Sequence, residues 1–468
     1  MTDQRVQVRK HLQVTNSETG TFRSCRQKWW FAYHELLKPR RTARPLAVGG
    51  AIHAGLGHVY RHLMRVQTGQ EIGEVARAVG IAPGDAPGVD ALADLAVEAM
   101  ERDLEGYLKE LWDALERAPG IDQVDQIIEE SRQASAEAES SVVRFVESFA
   151  MEDFERYRVV AVEQPFHVPL VDSSGYRRHL ITYSGVWDGV KFDPDVGDFI
   201  LDEHKSTSGD AHAAEKKLDM DPQTTGYIYA LGEALRRVGP RRSQLPPHEA
   251  LAWALRHVQQ HGAERVARER DPRVGRVFYN VVRKKGPAEP TVNKDGTVSV
   301  AACDTTRAVY EAALAEQHVR LAATGGEPEF LVRAREALAA KDTKASRERV
   351  ETNRARWDDL QDKQRARAEA CVSAERYCMR HEVFHGRDLV ERFRRETFAD
   401  AGLLRRAVRG DHPITRNPEH CNPQGSFGCG YRSVCIEDTP EGRREFAVRA
   451  DVHGEVVEAE ADAIAGEV

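Results

Sequence analysis

Residues 183–206, YSGVWDGVKFDPDVGDFILDEHKS, constrain the fold of this chain more than any other stretch. Two β-rich runs flank a turn carrying Asp193, Pro194, Asp195, Gly197 and Asp198, which reads as a β-hairpin with a loop of a few residues. Folding symmetrically about the Asp195–Val196 bond places Asp188 directly opposite Glu203, to within a residue or two of register. Side chains alternate across a strand, so Glu203 and Lys205 share one face while Asp202 and His204 point to the other. Asp188, Glu203 and Lys205 then converge.

Two carboxylates facing each other at about 4 Å, with an effective dielectric near 20, repel by about 4 kcal/mol. A divalent cation between them offsets this, and hard oxygen ligands suit Mg2+ or Mn2+. Lys205, two residues along the same face, sits where it can orient or help deprotonate a metal-bound water, or neutralise charge on a phosphate. A surface hairpin with a plain Glu–Lys ion pair satisfies the same three letters, and the rest of the chain must decide between them.

At 468 residues the chain can hold one large domain with insertions or two to three smaller ones. Charged residues make up 30%, no apolar run reaches the roughly 18 residues of a membrane span, and the opening MTDQRVQVRKHLQV lacks the pattern of a secretion signal. The expectation is a cytoplasmic protein with no membrane partner. A net charge of -8 argues against a globally basic nucleic-acid coat but permits a local basic channel. Seven cysteines in such a chain point to metal ligation or burial and not to a disulfide framework. Cys25, Cys421, Cys429 and Cys435 lie at suggestive positions near the two ends; Cys303, Cys371 and Cys378 read as packing residues, the last two on one face of a helix.

Along the chain, residues 15–37 read as a helix with a core patch at Trp29, Trp30, Phe31 and Tyr33, and a second helix carries His53 four residues after Gly49. Residues 67–150 are helical in pattern with a Gly/Pro-rich interruption at 80–88, and YRVVAVEQPFHVPL from residue 157 is a strand beside the hairpin. Asp221-Pro222 makes a helix start, Asp as cap and Pro in the first turn, and Gln223 and Tyr227 behind it share a face. GRVFYNVVRKK is a further strand whose end, Arg283, Lys284 and Lys285, is either a phosphate-binding cluster or a solvated terminus. A mainly helical region follows from 305 to 409. The loop 411–432, rich in proline and glycine, has a backbone able to wrap a cofactor, and the last residues read as an acidic, disordered tail.

In order, Cys25, Gly49-x-x-x-His53, Gly185-x-x-Asp188, Glu203-x-Lys205, Gln223-x-x-x-Tyr227 and Cys421-x7-Cys429-x5-Cys435 resemble the RecB-like branch of the PD-(D/E)XK nuclease superfamily. More narrowly they are similar to its iron-sulfur members: AddB-type, CRISPR-adaptation and phage exonucleases. The resemblance implies an α/β fold, a small mixed β-sheet core flanked by helices, with large helical insertions and a cluster joining the N- and C-terminal parts. It divides the chain into the start of the core (1–66), a helical insertion (67–150), the central core (151–290), a second helical insertion (291–410), a cluster-binding loop (411–440) and the tail (441–468). It makes His53, Asp188 and Glu203 the site of Mg2+ or Mn2+, Lys205 the catalytic lysine alongside Asp188 and Glu203, and Gln223 and Tyr227 substrate-positioning residues. Cys25, Cys421, Cys429 and Cys435 would hold a 4Fe-4S cluster, with a structural Zn2+ as the alternative occupant of four thiolates. The seven residues between Cys421 and Cys429 depart from the C-x-x-C spacing common in the group.

The implied activity is metal-dependent hydrolysis of DNA with a free end in phage or bacterial recombination and repair, in the host cytoplasm if phage-encoded, with a helicase or recombination protein as a possible partner. No G-x-x-x-x-G-K-[ST] loop supplies a motor in this chain. The other readings are a non-cutting DNA-end-binding subunit and a restriction-type endonuclease with zinc in place of the cluster.

Overall fold

The computed structural model describes residues 12–40, 42–69, 77, 80, 88–117, 121–170, 181–209, 211–212, 218–238, 274–322, 325–421, 428–454 and 456–457. The chain divides into two compact units: Met1–Ser206 with Ala214–Asn280 and Arg380–Val468, and Thr207–Ala213 with Val281–Met379. The segment 291–410 expected as one insertion is thus shared between the two units. Among the described residues no helix is long and apolar enough to cross a membrane.

The first unit begins with β1 (Leu12–Val14), α1 (Asn16–Ser24) and α2 (Arg26–Trp29). The sequence predicts one helix over 15–37, but Cys25 is extended (φ -160°, ψ 112°) and separates α1 from α2, and a single π-turn (Trp30–His34) then leads to β2 (Leu37–Pro39). The aromatic patch is core as expected: Trp29 and Phe31 are buried, and the Trp29 indole donates to Glu18 at 3.1 Å. The long helix α3 (Arg44–Thr68) packs on α4 (Val89–Arg117) and α5 (Ile121–Phe145). Gly55 permits this approach, because a β carbon there would lie 2.7 Å from the Ala96 carbonyl oxygen. These helices occupy much of the expected insertion 67–150, whose Gly/Pro-rich interruption falls mostly outside the described residues. The short α6 (Met151–Arg156) leads into the sheet.

Among the described residues six strands form that sheet, in the order β1-β4-β5-β6-β7 with β3 also on β4; they include β3 (Arg158–Leu170), β4 (Ile181–Asp193), β5 (Asp198–Thr207), β6 (Val274–Arg283) and β7 (Cys378–Phe384). It is mixed: β1 runs parallel to β4, while β3 and β5 run antiparallel to it. The hairpin register is the one its turn chemistry implies, with Asp193 facing Asp198, Val190 facing Leu201 and Gly189 facing Asp202. Gly197 takes φ 79°, open to glycine at little cost, and the Asp193 carboxylate accepts from the amides of Asp195 (3.1 Å) and Val196 (3.3 Å).

β3 lies along one edge of β4. The opposite edge is shared, by β1 at residues 181–183 and by β5 at 189–193. Between them the hairpin forks, and the candidate site is at the fork.

α7 (Pro222–Val238) starts as the sequence predicts: the Asp221 carboxylate accepts from the Gln223 amide at 2.8 Å. In the second unit, α8 (Arg307–Ala322), α9 (Glu329–Ala340) and α10 (Lys344–Glu369) close over two small cores, one around Val298, Tyr310 and Ala368 and one around Leu321, Leu331 and Trp357. Cys371 packs against the first of these, past the end of α10, and Cys378 begins β7, so the two do not share a helix face as expected. Back in the first unit, α11 (Arg387–Val408) packs on α7, and α12 (Arg432–Ile436) carries Cys435. Beyond it, β8 (Phe446–Val448) pairs antiparallel with β2, although it lies within the expected disordered tail; residues 458–468 of that tail are outside the described residues.

Candidate active site

Asp188 is the last residue of β4 before the fork closes into paired strands, one step beyond the Gly189–Asp202 pair and so in register with Glu203. With no strand bond at this edge, its Oδ2 accepts the His204 amide at 2.8 Å in place of a main-chain carbonyl. α3 brings His53 to the same point, its Nδ1 3.6 Å from Asp188 Oδ2. Where Gly49 would carry a β carbon, Ser206 Oγ is 3.4 Å away, so α3 lies close against the end of β5. Glu203 is fully buried and ion-pairs with Lys205 Nζ at 2.5 Å. Its Oε2 has no hydrogen-bond partner among the described residues.

Lys205 Nζ also donates to Gln223 Oε1 at 3.0 Å, and Gln223 Nε2 donates to the Tyr227 hydroxyl at 3.2 Å. The i, i+4 pair on α7 therefore orients the lysine. The Tyr227 ring lies 5.5 Å from Phe166, and both pass over Gly185, where a β carbon would be 2.7 Å from the Phe166 ring. That close approach accounts for glycine three residues before Asp188.

Burial governs the charges. It pushes Asp188 up to about 6, against the opposing pull of Lys205 and the His204 amide. Burial and then the neighbouring Asp188 push Glu203 up to about 8, with Lys205 pulling the other way. Burial and the Lys205 charge lower His53 to about 4, which leaves a neutral imidazole with a lone pair to offer. Burial also disfavours the Lys205 charge, but Glu203 and Asp188 outweigh it and raise the ammonium above its ordinary range. Of the roles open to this lysine from sequence, orientation and charge neutralisation fit a firmly protonated amine; proton abstraction does not.

Beneath His204 lies a buried ionic network that the sequence reading missed. Lys191 bridges Asp153 (2.6 Å) and Asp202 (2.5 Å), and Arg380 clamps Asp153 with bonds of 2.7 and 2.8 Å. Asn280 joins Asp202 (2.6 Å) to Arg380 (2.7 Å), and the Tyr60 hydroxyl donates to Asp153. His204 is set between the rings of Tyr60 (centroids 5.8 Å) and Phe145 (5.0 Å), which fixes the residue whose amide holds Asp188. The other omission is Glu163 on β3. Among the described residues, His53, Glu163 and Asp188 offer ligand atoms all within 4.8 Å of one another; Glu203, turned to Lys205, stands outside that group. A lone carboxylate in the apolar run VVAVEQPF was the available signal.

Cys25, Cys421, Cys429 and Cys435 line one cavity of about 210 Å³ together with Lys28, Arg416 and Arg432. The Cys435 thiol is raised by burial and then, against the pull of Arg416, by Cys25, Cys421 and Cys429, so the other three sulfurs all act on this one. No three of them lie within 4.8 Å. Stacked rings of Phe31, Tyr431 and Phe446, with centroids 6.2 and 5.4 Å apart, back the cavity. Arg283, Lys284 and Lys285 lie at the end of β6 in the second unit. There Arg283 pairs with Asp304 at 2.6 Å over the Tyr377 ring and Lys284 is buried, which leaves Lys285 as the exposed cation of the three.

Comparison with curated proteins finds no match. The family model described as the PD-(D/E)XK nuclease superfamily matches residues 13–436, a span that takes in most of β1, the forked hairpin, Gln223 and Tyr227 and all four of these cysteines. With the mixed sheet, the facing carboxylates and the paired lysine in place, the chain belongs to the PD-(D/E)XK nuclease superfamily.

Proposed function

We propose that this protein is a metal-dependent DNA exonuclease of phage or bacterial recombination and repair, stabilised by a 4Fe-4S cluster. The observation that carries the nuclease part is the fork itself: Asp188 and Glu203 in register, His53 3.6 Å from Asp188, and a charged Lys205 held by Glu203 and Gln223. Asp188, Glu203 and His53 fit Mg2+ or Mn2+, since two buried carboxylates, one with an unpartnered oxygen, require a cation to ionise together. Such a cation supplies a water acidified toward neutrality and polarises the scissile phosphate. Within the chain, Lys205 neutralises charge on the phosphate as it builds, and Gln223 and Tyr227 keep the ammonium in place and position the strand.

Four cysteines around one cavity support the cluster. Tetrahedral zinc with bonds of about 2.3 Å draws its sulfurs to about 3.8 Å from one another. A cubane holds its four thiolates farther apart, and analysis for iron, sulfide and zinc separates the two occupants. Lys285 remains the candidate phosphate contact from the basic run.

The deciding experiment incubates end-labelled single- and double-stranded DNA with the purified chain in Mg2+, Mn2+ or EDTA, beside Asp188→Ala, Glu203→Ala and Lys205→Ala. Metal-dependent loss of label in the wild type alone is expected, with each variant down at least a thousandfold and still folded. Full cleavage by any variant would overturn the assignment, and binding of ends without cutting would establish the non-cutting subunit instead.

A further inference from the structure

We propose that Glu163 is a metal ligand, holding a divalent cation together with His53 and Asp188; this rests on the reading of the fork as a metal site. The β3–β4 register places Glu163 directly across from Asp188, between the pairs Val162–Gly189 and Gln164–Trp187. Its backbone is left-handed, φ 45°, which among the described residues other than glycine is shared by Leu36 alone. That conformation, inside a strand, carries the carboxylate to α3, where Oε1 lies 4.0 Å from His53 Nδ1.

His53 Nδ1 is in turn 3.6 Å from Asp188 Oδ2, and one ligand atom of each residue lies within 4.8 Å of the other two. Around an octahedral ion with bonds of about 2.1 Å, neighbouring ligands stand about 3.0 Å apart and opposite ones about 4.2 Å. To become neighbouring ligands the 3.6 Å pair must close by about 0.6 Å and the 4.0 Å pair by about 1 Å, which side-chain rotation supplies. Gly57, one turn beyond His53, makes the room: a β carbon there would stand 3.2 Å from Glu163 Cγ and 3.8 Å from its Oε1.

Glu203 supplies the independent pointer. It is wholly buried, its Oε1 is taken by Lys205, and its Oε2 finds no hydrogen bond among the described residues. A cation at His53 and Asp188 thus has Glu203 beside it but already shared with a lysine. Glu163 adds a full negative charge to that of Asp188 at a site whose third donor is an imidazole, while Glu203 is shared between the cation and Lys205.

The test is Mn2+ binding, followed by electron paramagnetic resonance and calorimetry without DNA, on the wild type, Glu163→Gln and Glu163→Gly. The glutamine keeps the shape and removes the charge; the glycine keeps the left-handed backbone without strain, so a folding failure of the first leaves the second to decide. Both variants are expected to bind Mn2+ at least tenfold more weakly, and Glu163→Gly to melt no lower than wild type in EDTA. Affinities within twofold of wild type in the folded variants, or a wild type that binds no Mn2+, would overturn the assignment. A wild type that binds Mn2+ tightly through Glu163 yet cuts no DNA would overturn the nuclease reading and leave this one standing.

Discussion

Replacing Lys191 with methionine removes a cation from between two buried carboxylates while keeping most of the side-chain volume. Lys191, Asp153 and Asp202 are each no more than 1% exposed, so water cannot take the lysine's place. Asp153 keeps two bonds from Arg380 and the Tyr60 hydroxyl. Asp202 is left with the Asn280 amide at 2.6 Å and a distant His204 at 3.8 Å. Stranding one partner of a buried ion pair costs about 3–5 kcal/mol, and here that falls mainly on Asp202. With a urea dependence of about 3 kcal/mol per molar for a unit of this size, the unfolding midpoint should drop by about 1–1.7 M. The double variant Lys191→Met/Asp202→Asn removes the stranded charge and should recover more than half of the loss. A single-variant loss below about 1 kcal/mol, or no recovery in the double variant, would refute the view that Asp202 is held chiefly by Lys191.

With EDTA present, stability should fall by about 1 kcal/mol between pH 7 and 8.5, because the folded chain retains much of the Glu203 proton that the unfolded chain has lost, at about 1.36 kcal/mol per unit of pH for a fully retained proton. Below about pH 7 the lowered His53 and His204 act in the opposite sense, so the clean window is the upper one; thermal melts should show the slope in EDTA and its loss in saturating Mg2+. Anaerobically purified protein should be brown with iron and sulfide, and Cys25→Ala should lose the colour and expose the chain ends to protease at least tenfold faster; a colourless chain with one zinc would select the zinc alternative. A linear single strand should be degraded and its closed circle spared, with affinity falling roughly 20- to 50-fold from 50 to 200 mM salt if about three or four phosphates are contacted. Rapid cutting of the circle would reject the exonuclease reading in favour of an endonuclease.

The hairpin was legible because everything that sets it is local: turn residues, β-branched flanks and a period of two fix the register of Asp188 against Glu203 without help from the rest of the chain. The start of α7 was readable for the same reason, Asp221 and Pro222 being a cap and a first turn. Glu163 was not, since its role depends on α3 being laid beside β3 and on a left-handed φ that no propensity announces in a glutamate. Lys191 reads as an ordinary strand lysine until Asp153 and Arg380, far away in sequence, are brought under it. Helical propensity runs through Cys25, and what breaks the helix there is packing against the C-terminal segment; Gln27 donates its amide to the Thr415 carbonyl at 3.1 Å. The basic run 283–285 carried the right charge, but Asp304 claims its first residue.

The pairing of β2 with β8 joins residues about 400 positions apart, and the cysteines do nearly the same. Closing a flexible loop of that length costs about 5 kcal/mol before any contact is made. During synthesis, every residue of the fork from His53 to Tyr227 leaves the ribosome well before Phe446 does. The order of assembly follows: the sheet and its carboxylates can form while α1 and α2 still lack their C-terminal partner, and the ends are joined last. A nascent chain stalled between Val408 and Cys421 therefore already contains the whole sheet, the ionic network under His204 and the proposed cutting apparatus but not the clasp that fastens its ends, and delivery of the proposed cluster becomes the closing step of maturation.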